Sequence, residues 1–171
     1  MSTAVTVPLQ EYLDTVYRPD REYIDGEVLE RSLGEVDHSR FQMLLSNYLY
    51  SRENQWGIVV LPEQRVQVRT TRYRVPDITV VSGPIPTTPI LFQPPFLCVE
   101  ILSRGDSMDS VQERIDDYLA FGVPHVWVIN PRKPRAFHYT ADAIQDAKDG
   151  VLRTTNPEIV VPIFELENPV I

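Results

Sequence analysis

The sequence predicts an α/β or α+β fold, a mixed sheet with a helix packed on it. Three observations point there. From Met108 to Phe121 the apolar residues Met108, Val111, Ile115, Tyr118 and Leu119 share one helical face, and Gly122 with Pro124 supplies the stop. Short apolar runs lie on both sides of that helix: VPDITVVS and FLCVEILS before it, HVWVIN and RAFHYT after it. At 171 residues and 19.7 kDa the chain fits one domain, residues 1–171, large enough to bury a core without disulfides or metals.

The elements follow in order. PLQEYLDTV, residues 8–16, reads as a short amphipathic helix with Pro8 in its first turn. REYIDGEVLERS carries Asp25-Gly26 between two short runs, the pair that favours a type I′ hairpin. Ser32 and Glu35 stand at capping-box spacing ahead of Phe41, Leu44, Leu45, Tyr48 and Leu49 at helical spacing. After Gly57, IVVL and EQRVQVRT read as strands, followed by an arginine-rich turn. Residues 84–95 hold five prolines in twelve positions, which predicts a loop at the sheet edge. Beyond RAFHYT, set off by the turn PRKP, one or two short strands are expected around IVVPIF.

Composition narrows the function. No apolar run approaches the roughly 20 residues that would span a bilayer, and MSTAVTVPLQEYL lacks the basic-then-apolar order of a secretory signal, so a soluble, cytoplasmic protein is expected. Cys98 is the only cysteine and sits in an apolar strand, which excludes an internal disulfide or a cysteine-rich metal site. The net charge of −8 argues against a surface that grips nucleic acid broadly by counterion release. Lys133 and Lys148 are the only lysines, against fourteen arginines.

The chemistry concentrates in two carboxylates. Glu100 sits inside FLCVEILS and Asp77 inside VPDITVV, each a lone acid in an apolar strand, where an ionised carboxylate is costly without compensation. Neighbouring strands would bring them together, and a divalent ion with hard oxygen ligands, magnesium or manganese, would relieve their repulsion. Such an ion, with positions open to water and a phosphate oxygen, equips a site for phosphodiester hydrolysis. Alternatively Glu100 forms a buried ion pair with Arg74, Arg104 or Arg114, and Asp77 is a turn former at a strand entry.

The ordered set Pro76-Asp77, Glu100-Ile101-Leu102-Ser103 after 22 intervening residues, Arg114 with Tyr118, Gly122-Val123-Pro124 and Trp127-Val128-Ile129-Asn130-Pro131 resembles the Uma-type putative restriction endonuclease family of the PD-(D/E)XK nuclease superfamily. The resemblance extends back to Tyr23-Ile24-Asp25-Gly26-Glu27 and His38. It implies a restriction-endonuclease-like mixed β-sheet core flanked by helices, and magnesium-dependent cleavage of DNA. The implied metal ligands are Asp77, Glu100 and the main-chain carbonyl of Ile101. The superfamily's lysine position is occupied by Leu102. The family's alternative lysine place, four residues ahead of a tyrosine on the following helix, holds Arg114, and the aspartate expected four residues before it is Ser110, with Asp109 beside it. Arginine stays protonated, so Arg114 would stabilise negative charge rather than accept a proton. His38 and Glu27 are implied as further site residues that orient water or ligand.

Each residue also has a plain structural reading: Arg114 as a surface partner of Glu113 or Asp117, His38 as a packed helix histidine, Glu27 as a solvated hairpin residue. The competing function is a non-catalytic nuclease-like binding or assembly module that lacks the catalytic lysine. Arg65, Arg69, Arg72 and Arg74 form a local cluster able to attract phosphate. Ile90, Leu91 and Phe92 together with IVVPIF offer apolar surface, so a homodimer is expected. His125 and His138 have no acidic partners in sequence and receive no role.

Overall fold

The structure, a computed structural model, describes residues 6–32, 34–133 and 135–166. Helix α1 (Leu9–Asp14) leads into the hairpin β1 (Glu22–Ile24) and β2 (Glu27–Leu29). Asp25 and Gly26 take φ of 50° and 103°, the left-handed pair that the turn needs. Helix α2 (Val36–Tyr50) and the short α3 (Glu53–Trp56) precede the strands β3 (Ile58–Pro62), β4 (Val66–Arg69), β5 (Arg72–Arg74), β6 (Ile78–Ser82) and β7 (Leu97–Ile101). Helix α4 (Met108–Phe121) crosses to β8 (His125–Asn130), and β9 (Arg135–Tyr139), β10 (Ile144–Asp146), β11 (Val151–Arg153) and β12 (Val160–Pro162) follow. The fold is a mixed α+β arrangement, as the sequence predicts.

Three sheets form. The central one has six strands in the order β10-β9-β8-β7-β6-β3, with β7 and β8 parallel and all other neighbours antiparallel. The α4 crossover supplies the parallel pair, the connection such a pair requires. Alternation along β7 then separates two faces. Leu97, Val99 and Ile101 pack with Phe41, Leu45 and Leu49 of α2, and the small β11-β12 sheet adds Leu152 and Val161 to that core. Cys98, Val126 and Val128 pack on the other face with Val111, Ile115 and Tyr118 of α4. Val66 and Val68 of the four-stranded sheet β2-β1-β5-β4 join them there.

Several expectations change on contact with the structure. The arginine-rich turn contains β5, because Tyr73 must pair with Tyr23 and pack with Tyr12 in a tyrosine cluster. Ser32 does not cap α2: the helix starts at Val36 behind Glu35 and has no side-chain cap bond. The Pro-rich segment is a loop, but Leu91 is buried and exchanges main-chain hydrogen bonds with Arg65 and Gln67, extending the edge of β4. Ile159, Val161 and Ile163 of the tail are likewise buried, so about half of the apolar residues invoked for a homodimer belong to the chain's own core. Phe92, Val160 and Phe164 remain exposed. Pro134 of the expected PRKP turn lies outside the described residues. Among the described residues no helix is long and apolar enough to cross a membrane.

The four-stranded sheet is locked to α4 by buried charge. Arg74 sends Nε and Nη2 to Asp117 Oδ2 at 2.8 and 2.7 Å and Nη1 to Glu22 Oε2 at 2.8 Å, while Arg72 reaches Asp117 Oδ1 at 3.1 Å. Asp117 is only 2% exposed. Removing one member leaves a buried charge uncompensated, so Asp117→Ala is expected to lower stability by about 3–5 kcal/mol in urea denaturation. A loss below about 1 kcal/mol would show the network to be no more than a surface-like pairing.

Candidate active site

Where the β6-β7 ladder ends, the two carboxylates meet. Ile78 pairs with Val99, so one step further along the same register sets Asp77 opposite Glu100. Glu100 points to the α4 face, because Val99 and Ile101 take the other one, while Asp77, just before β6, turns its carboxylate toward the end of β7. Opposed side chains stand about 4.5–5.5 Å apart at Cβ. Pro76 and the carboxylate together explain the local geometry: the Asp77 side chain, rather than a strand carbonyl, accepts the Ile101 N–H, at 2.7 Å to Oδ2. The Asp77 carbonyl is held by Gln42 Nε2 at 2.9 Å and by the Glu63 N–H at 3.1 Å.

Each carboxylate has cationic or hydroxyl partners. Arg114 of α4 brings Nε to 3.0 Å from Glu100 Oε2 and donates Nη2 to Asp106 Oδ1 at 3.0 Å. Tyr118, one turn on, donates its hydroxyl to Glu100 Oε1 at 2.6 Å. Asp77 Oδ1 receives Arg31 Nη2 at 2.7 Å and lies 3.2 Å from His38 Nε2. Of the three arginines the sequence offers to Glu100, the structure selects Arg114, since Arg74 serves Asp117 and Glu22 and Arg104 lies near Glu35. Glu113 and Asp117, the surface partners considered for Arg114, pair with Arg72 and Arg74 instead.

These groups line a cavity of about 320 Å³ whose walls carry seven carboxylates and three arginines, with His38. Asp77, Glu100, Ile101, Arg114 and His38 converge there. Glu27 does not: it is exposed at the start of β2, and Glu22 on the paired strand lines the cavity in its stead. The register puts both acids on one face of the hairpin, but Glu22 stands opposite Leu29 at its open end, beside the cavity, while Glu27 stands opposite Ile24 next to the turn. Ser110 belongs to the α4 cap, its N–H bound to Ser107 Oγ, and the acid beside Arg114 is Asp106. Leu102, at the superfamily's lysine position, packs against the α4-side core. Of the phosphate-attracting cluster, Arg72 and Arg74 are tied up with Asp25, Asp117 and Glu22, and Arg65 lies over the Tyr12 ring near Asp20. His125 and His138 are within hydrogen-bond distance of each other at 2.9 Å, away from the cavity.

Arg31 is the site residue the sequence concealed. It lies between the hairpin and α2 without periodic context, and its partner Asp77 is 46 residues away.

Burial pushes the Glu100 carboxyl up from 4.5 to about 7, with Asp77 adding to the rise and Arg114 and Tyr118 opposing it. The hydrogen bond to Asp77 raises His38 above its usual 6.5 against the effect of burial. Among the described residues no group of three or more His, Cys, Asp or Glu side chains converges as a ready metal site. Magnesium nevertheless needs only one or two carboxylates beside water and substrate oxygens. The paired acids and the negative surplus of the walls fit such an ion.

Residues 9–167 match the sequence model of the Uma2 family, described as putative restriction endonuclease. Among solved structures the fold is similar to that of a putative nuclease belonging to DUF820 from Anabaena variabilis ATCC 29413. The identity is 24%, with 94% of this chain and 97% of that chain covered and a TM-score of 0.77. No curated protein matches.

The two raised groups set a pH dependence. Between 4.5 and about 7 the folded chain keeps a proton on Glu100 that the unfolded chain has released, so stability falls as pH rises through that window. The contribution of His38 is full below 6.5 and is lost as pH climbs through its raised value. Thermal midpoints are expected to decline from pH 4.5 upward, with Glu100→Gln flattening the curve below about 7 and His38→Gln flattening it above 6.5. A variant curve parallel to that of the parent would remove the corresponding group from this account.

Proposed function

Because the chain belongs to the Uma2 putative restriction endonuclease family, we propose that it hydrolyses DNA phosphodiesters with a divalent ion, magnesium or manganese, held by Asp77 and Glu100. The observation that carries this reading is the direct opposition of these two carboxylates at a polar cavity, with the Arg114 guanidinium alongside. The main-chain carbonyl of Ile101, a residue of the cavity wall next to Glu100, is the third candidate ligand. Bound there, the ion would supply Lewis-acid stabilisation of the phosphate and a more acidic water.

The chain's own groups divide the remaining work. Arg114 stands at the rim of Glu100 and stabilises the negative charge that develops on the phosphate oxygens. Tyr118 fixes the Glu100 carboxylate through its hydroxyl. His38 holds Asp77 through Nε2, and its buried Nδ1 has no hydrogen-bond partner among the described residues, so it can orient water or donate a proton to a phosphate oxygen. Asp106 keeps the guanidinium of Arg114 in place.

A second reading draws on the same site. All four oxygens of Asp77 and Glu100 already meet protein donors or cations, so the fold holds its acids without an ion, as a non-catalytic binding module would. Manganese titration and plasmid cleavage separate the two. Under the hydrolytic reading Asp77→Asn and Glu100→Gln weaken manganese binding. Arg114→Ala lowers turnover by roughly 100-fold, and Arg114→Lys retains activity. A parent protein that binds manganese at neither carboxylate and leaves plasmid intact belongs to the second reading. Cleavage by Arg114→Ala at the parental rate removes Arg114 from the chemistry.

A further inference from the structure

Asp77 has more positive company than a single carboxylate requires. Its Oδ1 meets both Arg31 and His38, at 2.7 and 3.2 Å, and Oδ2 is taken by the Ile101 N–H. Arg31 is the partner that can leave. The Ile101 donor is fixed main chain in β7, and His38 is fixed to α2, whereas Arg31 lies outside both β2 and α2, in the connection between them. A second acceptor already waits for it: Glu63 Oε1 lies 3.6 Å from Arg31 Nη1, with its side chain half exposed.

We infer that Arg31 is a resident counter-cation of the Asp77-Glu100 pair that competes with a divalent ion for Asp77, and that ion loading moves its guanidinium toward Glu63. The inference rests on the metal-dependent reading above. Its physical basis is mutual exclusion. A guanidinium at 2.7 Å from the Asp77 oxygen would stand within a few ångströms of an ion on the same carboxylate, and a unit charge against a double charge at about 4 Å weakens binding by tenfold or more even at the dielectric of water. Without the ion, Arg31 spares Asp77 the repulsion of Glu100 across the strand pair. With the ion bound, that duty passes to the metal, and Glu63 keeps the released arginine paired.

The test is a manganese titration followed by calorimetry and by the electron paramagnetic resonance signal of the free ion, on the parent, Arg31→Gln, Arg31→Lys and Asp77→Asn. Arg31→Gln is expected to bind manganese roughly tenfold tighter or more, Arg31→Lys close to the parent, and Asp77→Asn much more weakly. Equal or weaker binding by Arg31→Gln, with the parent and Asp77→Asn behaving as described, overturns the role of Arg31 and leaves the metal site standing. Absence of binding by parent and Arg31→Gln alike overturns both. A measurement on the unaltered chain guards against a variant that does not fold. The Arg31 side-chain Nε–H resonance is expected to shift on addition of magnesium while that of the deeply buried Arg74 stays in place. An unmoved Arg31 resonance with magnesium bound overturns the inference.

Discussion

Two buried acids that meet at the end of one strand pair set the terms for the rest of this molecule. Asp77 and Glu100 are 4% exposed each, and their charges oppose one another across the β6-β7 pair. An interior tolerates such a pair only when cations and hydrogen-bond donors surround it. Three separate parts of the chain supply them: α4 gives Arg114 and Tyr118, α2 gives His38, and the connection after β2 gives Arg31. The positions of both long helices follow from the requirement that their polar residues reach the end of the β6-β7 ladder while their apolar faces cover the sheet.

The second charge network serves the first. Asp117 lies three residues after Arg114, so the bonds from Arg72 and Arg74 fix the rotation of α4 about its axis and with it the direction of Arg114 and Tyr118. A helix held only by Val111 and Ile115 could slide, because apolar contacts have no direction. Ion pairs with defined geometry remove that freedom, at the cost of burying charge.

Charge also decides what the cavity attracts. The arginines at 65, 72 and 74 look in the sequence like a phosphate-seeking patch, yet each is engaged with acids or a tyrosine ring inside the fold. The cavity walls therefore keep a surplus of carboxylates, in line with a net charge of −8. Such a cavity draws cations first and phosphate only through them. The surplus thus agrees better with an ion-bridged substrate than with direct grip on nucleic acid by the protein surface.

Much of this was legible in the sequence because it is local. The α4 face from Met108 to Phe121, the Asp25-Gly26 turn and the strand at 97–101 follow from periodicity and turn chemistry within a few residues. The apolar surroundings of Asp77 and Glu100 marked them as residues in need of compensation before any contact was known. The spacing of Arg114 on its helix limited where its guanidinium could go. Non-local pairing was decided only by the tertiary structure. That Arg74 belongs to Asp117 and Glu22, that residue 22 rather than 27 reaches the cavity, that Leu91 closes the edge of β4, and that Arg31 reaches Asp77 all depend on which segments the sheets bring side by side. An arginine carries the same charge wherever it stands in a sequence. Its partner is whichever carboxylate the folded backbone places within about 3 Å, and no pattern of neighbours encodes that distance.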